Sequence, residues 1–229
     1  EMRKGWTAQI QLQSGQPLKQ ALAIRFGQEQ GEKYYNNLVG KQRKVAFAID
    51  VTGSMSAELP VIKSNLCNWA SGLEADPEEA PRLSLVTFTD KTVNVVGTTC
   101  DPTEFAEWVK NLTPDPSGEV ISTTVLTATL NAGDLVGSGG TVILVSAAKE
   151  VADVLERAVV TEPADVSEAL RRKRVKVCTI WKYPGNAVSA KMATATGGIS
   201  IPSFANLSQA LNEVLEISTP GLRDFAHIV

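Results

Sequence analysis

The densest oxygen chemistry in the chain lies in six residues, Asp50-Val51-Thr52-Gly53-Ser54-Met55. A carboxylate and two hydroxyls occupy alternate positions there, directly after the apolar run Val45–Ile49. Hard oxygen donors at this spacing can converge on one divalent cation. Mg²⁺ takes near-octahedral oxygen ligands and keeps several waters. Neutral hydroxyls leave much of the ion's charge uncancelled, so it can accept an acidic group from a partner. The same residue types also build a turn that caps the next helix, and the six residues alone leave both readings open.

Other chemistries find less support. Cys67, Cys100 and Cys178 are far apart and fit no metal-ligand spacing; Cys67 and Cys178 sit in apolar runs and read as buried small hydrophobes. His227 is the single histidine and stands near the end of the sequence. There is no Gly-x-Ser-x-Gly elbow and no P-loop. The basic run Arg171-Arg172-Lys173-Arg174 joins a helix to a strand; it reads as a solvated helix end, with an anion-facing surface as the sharper alternative.

Strand-like and helix-like segments alternate from Val45 onward and must position the Asp50 loop. Val45–Ile49 is an apolar run of strand length, as in a buried parallel strand. Leu59, Ile62, Leu66, Trp69, Ala70 and Leu73 share one face of a helix spanning Ala57–Leu73. Leu83–Phe88 and Thr92–Val96 read as a strand hairpin. Asp101-Pro102 opens a helix that runs to Leu112. A helix follows from Ile121 to Leu130, ending near Gly133, and then the strand Thr141–Val145. Helices are expected over Lys149–Val159, Asp165–Arg171, Ala187–Ala195 and Leu207–Ile217, with strands at Val175–Ile180 and Ile199–Ile201. Such alternation implies βαβ units and a mostly parallel sheet with helices on both faces. Ligands of such sheets bind beyond the carboxyl ends of the strands, where the Asp50 loop stands.

The first 42 residues are rich in glutamine and read as an N-terminal extension, packed on the domain or linking it to another. Within it, Ala8–Leu12 suggests a strand and Leu18–Phe26 a helix. The domain is expected over residues 43–217, and 218–229 form a tail. Of 229 residues, 22 are Lys or Arg and 25 Asp or Glu, a net charge of −3 that argues against a nucleic-acid partner. No stretch approaches the roughly 18 apolar residues of a membrane span, so no membrane insertion is expected. The opening Glu1-Met2-Arg3-Lys4-Gly5 leads into polar sequence, which predicts no signal peptide.

Asp50-Val51-Thr52-Gly53-Ser54-Met55 resembles the Asp-x-Ser/Thr-x-Ser metal-ion-dependent adhesion site of von Willebrand factor A domains. Leu85–Asp90 is similar to that family's second strand and its polar end. Ala193-Thr194-Ala195-Thr196-Gly197-Gly198 is similar to its Ala-x-x-Thr-Gly-Gly stretch. The order of elements is most similar to domains of the hemicentin type. The resemblance covers about Arg43 to Ile217. It implies an α/β fold, a doubly wound, mostly parallel six-stranded sheet. It also implies a divalent ion, Mg²⁺ or else Mn²⁺ or Ca²⁺, held by Asp50, Thr52 and Ser54, with the two hydroxyls in direct contact and the Asp acting through water or hydrogen bonds. A further ligand is expected in the loop before the helix near Ile121, and Glu119 is the choice there. The family's Asp after the next strand has no counterpart, since Ser146-Ala147-Ala148 stands in its place.

The resemblance implies a non-enzymatic adhesion or assembly module, extracellular or at the cell surface, binding a protein partner through an acidic side chain, within a larger multidomain or oligomeric assembly. A metal-independent scaffold of the same fold is the alternative. A third reading comes from Asp50-Val51-Thr52-Gly53, which also resembles the nucleophile loop of haloacid-dehalogenase-type phosphotransferases. Against it, Thr52 stands where a second acid is usual, and Trp181-Lys182-Tyr183-Pro184 offers no acidic pair for Mg²⁺.

Overall fold

The computed structural model describes residues 23–31, 44–73, 80–116, 122–147, 163–182, 187–201, 208–211 and 214. The chain divides into two compact units, Glu1–Gln42 and Arg43–Val229. In the first, residues 23–26 and 28–31 are helical, interrupted at Gly27 with φ of 79°. The expected strand Ala8–Leu12 lies outside the described residues.

The second unit is built on β1 (Lys44–Asp50), α1 (Leu59–Ser71), β2 (Arg82–Phe88), β3 (Val93–Thr99), α2 (Pro102–Lys110), α3 (Ser122–Val136), β4 (Thr141–Ser146), α4 (Pro163–Arg172), β5 (Lys176–Trp181), α5 (Ala187–Thr196) and β6 (Ser200–Ile201). A six-stranded sheet runs in the order β3-β2-β1-β4-β5-β6. All neighbouring pairs are parallel except β2 and β3. β1 is central, flanked by β2 and β4, and the chain reverses direction across the sheet between them. That is the topological switch point, where a doubly wound sheet opens a crevice.

Strand alternation divides the core in two. Val45, Phe47 and Ile49 of β1 pack with Leu59, Ile62 and Leu66 of α1 and with Phe105 and Val109 of α2. On the opposite face, Ala46 and Ala48 meet Val125, Leu126, Ala128 and Ala132 of α3. Small residues on both sides of that second contact let the helix lie close to the central strand. Val166 and Leu170 of α4 and Met192 of α5 complete the same layer.

Several boundaries differ from the sequence reading. α3 runs through Gly133 to Val136, and Gly133 marks where the Leu170 side chain of α4 packs close against it. The stop comes instead at Gly137, where φ is 59°. β3 continues past Val96 to Thr99. Its pairing with β2 shifts register between Leu85 and Val86, and the polar end is held by Ser84 Oγ and Thr98 Oγ1, 2.9 Å apart. An edge strand needs few apolar residues, which hides that end from a hydrophobicity pattern. α2 starts as expected, with Asp101 capping it and its carboxylate accepting from the Thr103 N–H at 2.8 Å, but it ends at Lys110, with Asn111 as its C-terminal cap. The expected helix 149–159 lies outside the described residues, as do residues 218–229.

Three residues of the basic run at the end of α4 are paired within the domain. Arg171 and Arg172 pair with Glu168 at 2.7 and 2.8 Å, and hydrogen bonds from Arg171 and then Arg172 hold its carboxyl down at about 2. Lys173 pairs with Asp134 of α3. The solvated-helix-end reading fits these contacts. No helix among the described residues is long and apolar enough to cross a membrane.

Candidate metal centre

Asp50 is the last residue of β1 and, by alternation, faces the α3 side with Ala46 and Ala48. The register of Ile49 against Val145 sets Asp50 beside Ser146 at the end of β4. Its carboxylate is 0% exposed and accepts four hydrogen bonds. Oδ1 takes the Thr52 N–H at 2.9 Å and the Thr52 hydroxyl at 2.6 Å. Oδ2 takes the Ser146 hydroxyl and the Ala147 N–H, each at 3.0 Å. Four donors satisfy the lone pairs of this buried carboxylate. Asp50 thereby ties the end of β1 to the end of β4 and holds the loop between them.

Thr52 is buried and extended, and a 3-10 turn, Gly53–Met55, follows it. Met55 plugs the core beneath the turn, so Ser54 is turned outward and exposed. The Thr52 and Ser54 hydroxyl oxygens lie 2.9 Å apart. Because the Thr52 proton is committed to Asp50, the oxygen's lone pairs are left for other partners. The separation permits a hydrogen bond, and it also matches two neighbouring oxygens on one octahedral ion. At Mg–O of about 2.1 Å, adjacent ligands stand about 3.0 Å apart. Among the described residues, no group of three or more His, Cys, Asp or Glu side chains gathers to hold a metal. The Thr52 and Ser54 oxygens are within reach of one small, hard cation, with Asp50 behind them as the group that orients Thr52.

Thr52 also makes an isolated parallel bridge to Asp115, with the Asp115 N–H donating to the Val51 carbonyl at 2.6 Å. Bridge partners present their side chains on the same face of a sheet, so half-buried Asp115 accompanies Thr52 at the mouth of the crevice. The sequence reading passed over this residue in favour of Glu119, which lies outside the described residues. A signal was present. Asp115 stands between Pro114 and Pro116, and a residue before proline is driven to extended backbone, the conformation a strand-like bridge requires.

The geometry counts against the phosphotransferase reading. A nucleophile must expose a lone pair along the line of attack, whereas the Asp50 oxygens are enclosed and engaged with four donors. Ser146 is one of those donors.

Residues 44–132 match a family model described as the von Willebrand factor A domain. A search of curated proteins gave no match. Among solved structures, proximal thread matrix protein 1 from the mussel byssus aligns with a TM-score of 0.58 and 17% identity, over 77% of this chain and 45% of that one. The same protein with a zinc-occupied MIDAS motif gives a TM-score of 0.59 and 15% identity, over 77% and 48%. The human COPII-coat protein Sec24c aligns with a TM-score of 0.50 and 12% identity, over 70% and 29%. The chain spans less than half the length of each of these structures. From the strand that carries Asp50 to the middle of α3, this chain matches the von Willebrand factor A domain, and its six-stranded sheet has the fold of those structures.

Proposed function

We propose that this chain is a protein-binding module of adhesion or assembly, gripping an acidic side chain of its partner through a divalent cation on Thr52 and Ser54. The observation that carries the reading is the pair of hydroxyl oxygens 2.9 Å apart with the Thr52 proton drawn back onto Asp50. In such a site, Asp50 orients Thr52, the 3-10 turn presents Ser54, and Asp115 lends negative charge. Glu119 remains a proposed further ligand. A bound cation would supply a point of positive charge that accepts a carboxylate oxygen from the partner. The spacing suits Mg²⁺ or Mn²⁺ better than the larger Ca²⁺, and the zinc-occupied MIDAS of the mussel protein supports a divalent ion in a site of this kind. An extracellular or cell-surface setting, within a larger assembly, accompanies this reading, as does binding rather than catalysis.

Calorimetric titration of Mn²⁺ into the wild-type chain and Ser54→Ala tests it. Loss of the hydroxyl is expected to weaken binding by at least about tenfold, with the fold unchanged. Equal affinities would refute the assignment.

The second reading is a scaffold of the same fold that works without metal. It is favoured by Ala147, which contributes only its N–H to Asp50 where a carboxylate would add negative charge. Partner binding that survives EDTA would support the scaffold.

A further inference from the structure

Lys182 directly follows β5 and reaches the loop that carries Ser54. Its N–H donates to the Ser146 carbonyl at 3.0 Å, which seats it beside the end of β4. Its ammonium donates to the Ser54 backbone carbonyl at 2.9 Å and pairs with Glu58 Oε1 at 2.7 Å. One nitrogen thus holds the residue that presents the outer hydroxyl and the carboxylate just before α1. Both side chains are largely enclosed, 25% exposed for Lys182 and 17% for Glu58, so water screens their charges incompletely. Glu58 Oε2 is buried with no hydrogen-bond partner.

We infer that Lys182 is a positioning residue that clasps the 53–58 turn to the end of β5 and holds down the site's affinity for a divalent cation. The second half of this inference rests on the metal reading above. An ammonium on the carbonyl of Ser54 repels a dication at the hydroxyl of the same residue. It also neutralises Glu58, the carboxylate at the end of that turn. Removing the ammonium withdraws the repulsion and leaves a largely enclosed carboxylate uncompensated, and both changes favour a cation. Removing the Glu58 charge does the reverse, since the ammonium then lacks that counter-charge.

Mn²⁺ titrations of the full chain test this with Lys182→Met, Lys182→Arg and Glu58→Gln. Lys182→Met is expected to bind about tenfold tighter than wild type and Glu58→Gln about tenfold weaker. Lys182→Arg, which keeps the charge, should bind like wild type. A purely structural role would weaken binding in both charge-removing variants. If wild type binds and Lys182→Met binds no tighter, the affinity half is overturned while the metal reading survives. If neither binds, the metal reading fails, and hydrogen exchange in the metal-free protein decides the clasp. Faster exchange at the Met55 and Ser56 amides of Lys182→Met supports it; unchanged exchange overturns it.

Discussion

At the scale of single residues, Asp50 and Ser54 divide the labour of the loop. Ser54 faces solvent and its hydroxyl touches only Thr52 among the contacts described for it. Asp50 is a buried acceptor of four donors, two of them backbone N–H groups that cannot rotate away. In Asp50→Asn, the amide nitrogen must face one of those N–H groups. The expected cost is about 2–3 kcal/mol, read as a lowered urea midpoint, whereas Ser54→Ala should stay within about 0.5 kcal/mol. The alternating oxygens at 50, 52 and 54 were legible in the sequence. The closed hydrogen-bond set was not, because Ser146 lies 96 residues away along the chain and reaches Asp50 only through the pairing of β1 with β4. For Asp115 only the proline-flanked, extended backbone was legible; its partnership with Thr52 spans the whole α1-β2-β3-α2 stretch.

At the scale of elements, the close approach of chains decides boundaries that local propensity does not. Gly198, between α5 and β6, is the clearest case. A Cβ there would fall on the Val177 backbone carbonyl of β5, and backbone atoms cannot rotate aside as a side chain can. The neighbouring Ile199 carbonyl accepts from the Thr179 N–H at 2.8 Å, so displacing this segment also breaks the entry to the β5–β6 pairing. Gly198→Ala is expected to cost about 2–3 kcal/mol, with faster amide exchange at Thr179 as the local signature. Amphipathic spacing located α1 and α2 well, and the apolar runs located β1, β2, β4 and β5. The end of α3 and the polar half of β3 escaped, since Gly133 answers to Leu170 of another helix and β3 is an edge strand paired on one side only.

At the scale of the whole molecule, the site depends on a central strand packed from both faces. Phe47 sits mid-strand in β1, its ring 5.6 Å from that of Trp69 and 5.3 Å from that of Phe105, joining both helices of one layer to the strand that ends in Asp50. Phe47→Ala is expected to destabilise the fold by about 3–5 kcal/mol, seen in urea unfolding, and to weaken any cation binding only through the folded fraction. The sequence by itself determined that this would be an α/β sheet and that an oxygen-rich loop would close its first strand, because burial periodicity and strand-ending turns are local properties of the chain. Tertiary structure alone decided what that loop's groups do. Asp50 withdraws behind Thr52, Asp115 comes alongside, and Lys182 lands on the Ser54 carbonyl, because hydrogen-bond partners and opposing charges are assigned by strand order and register across the sheet, and these bring together atoms that no spacing along the chain relates.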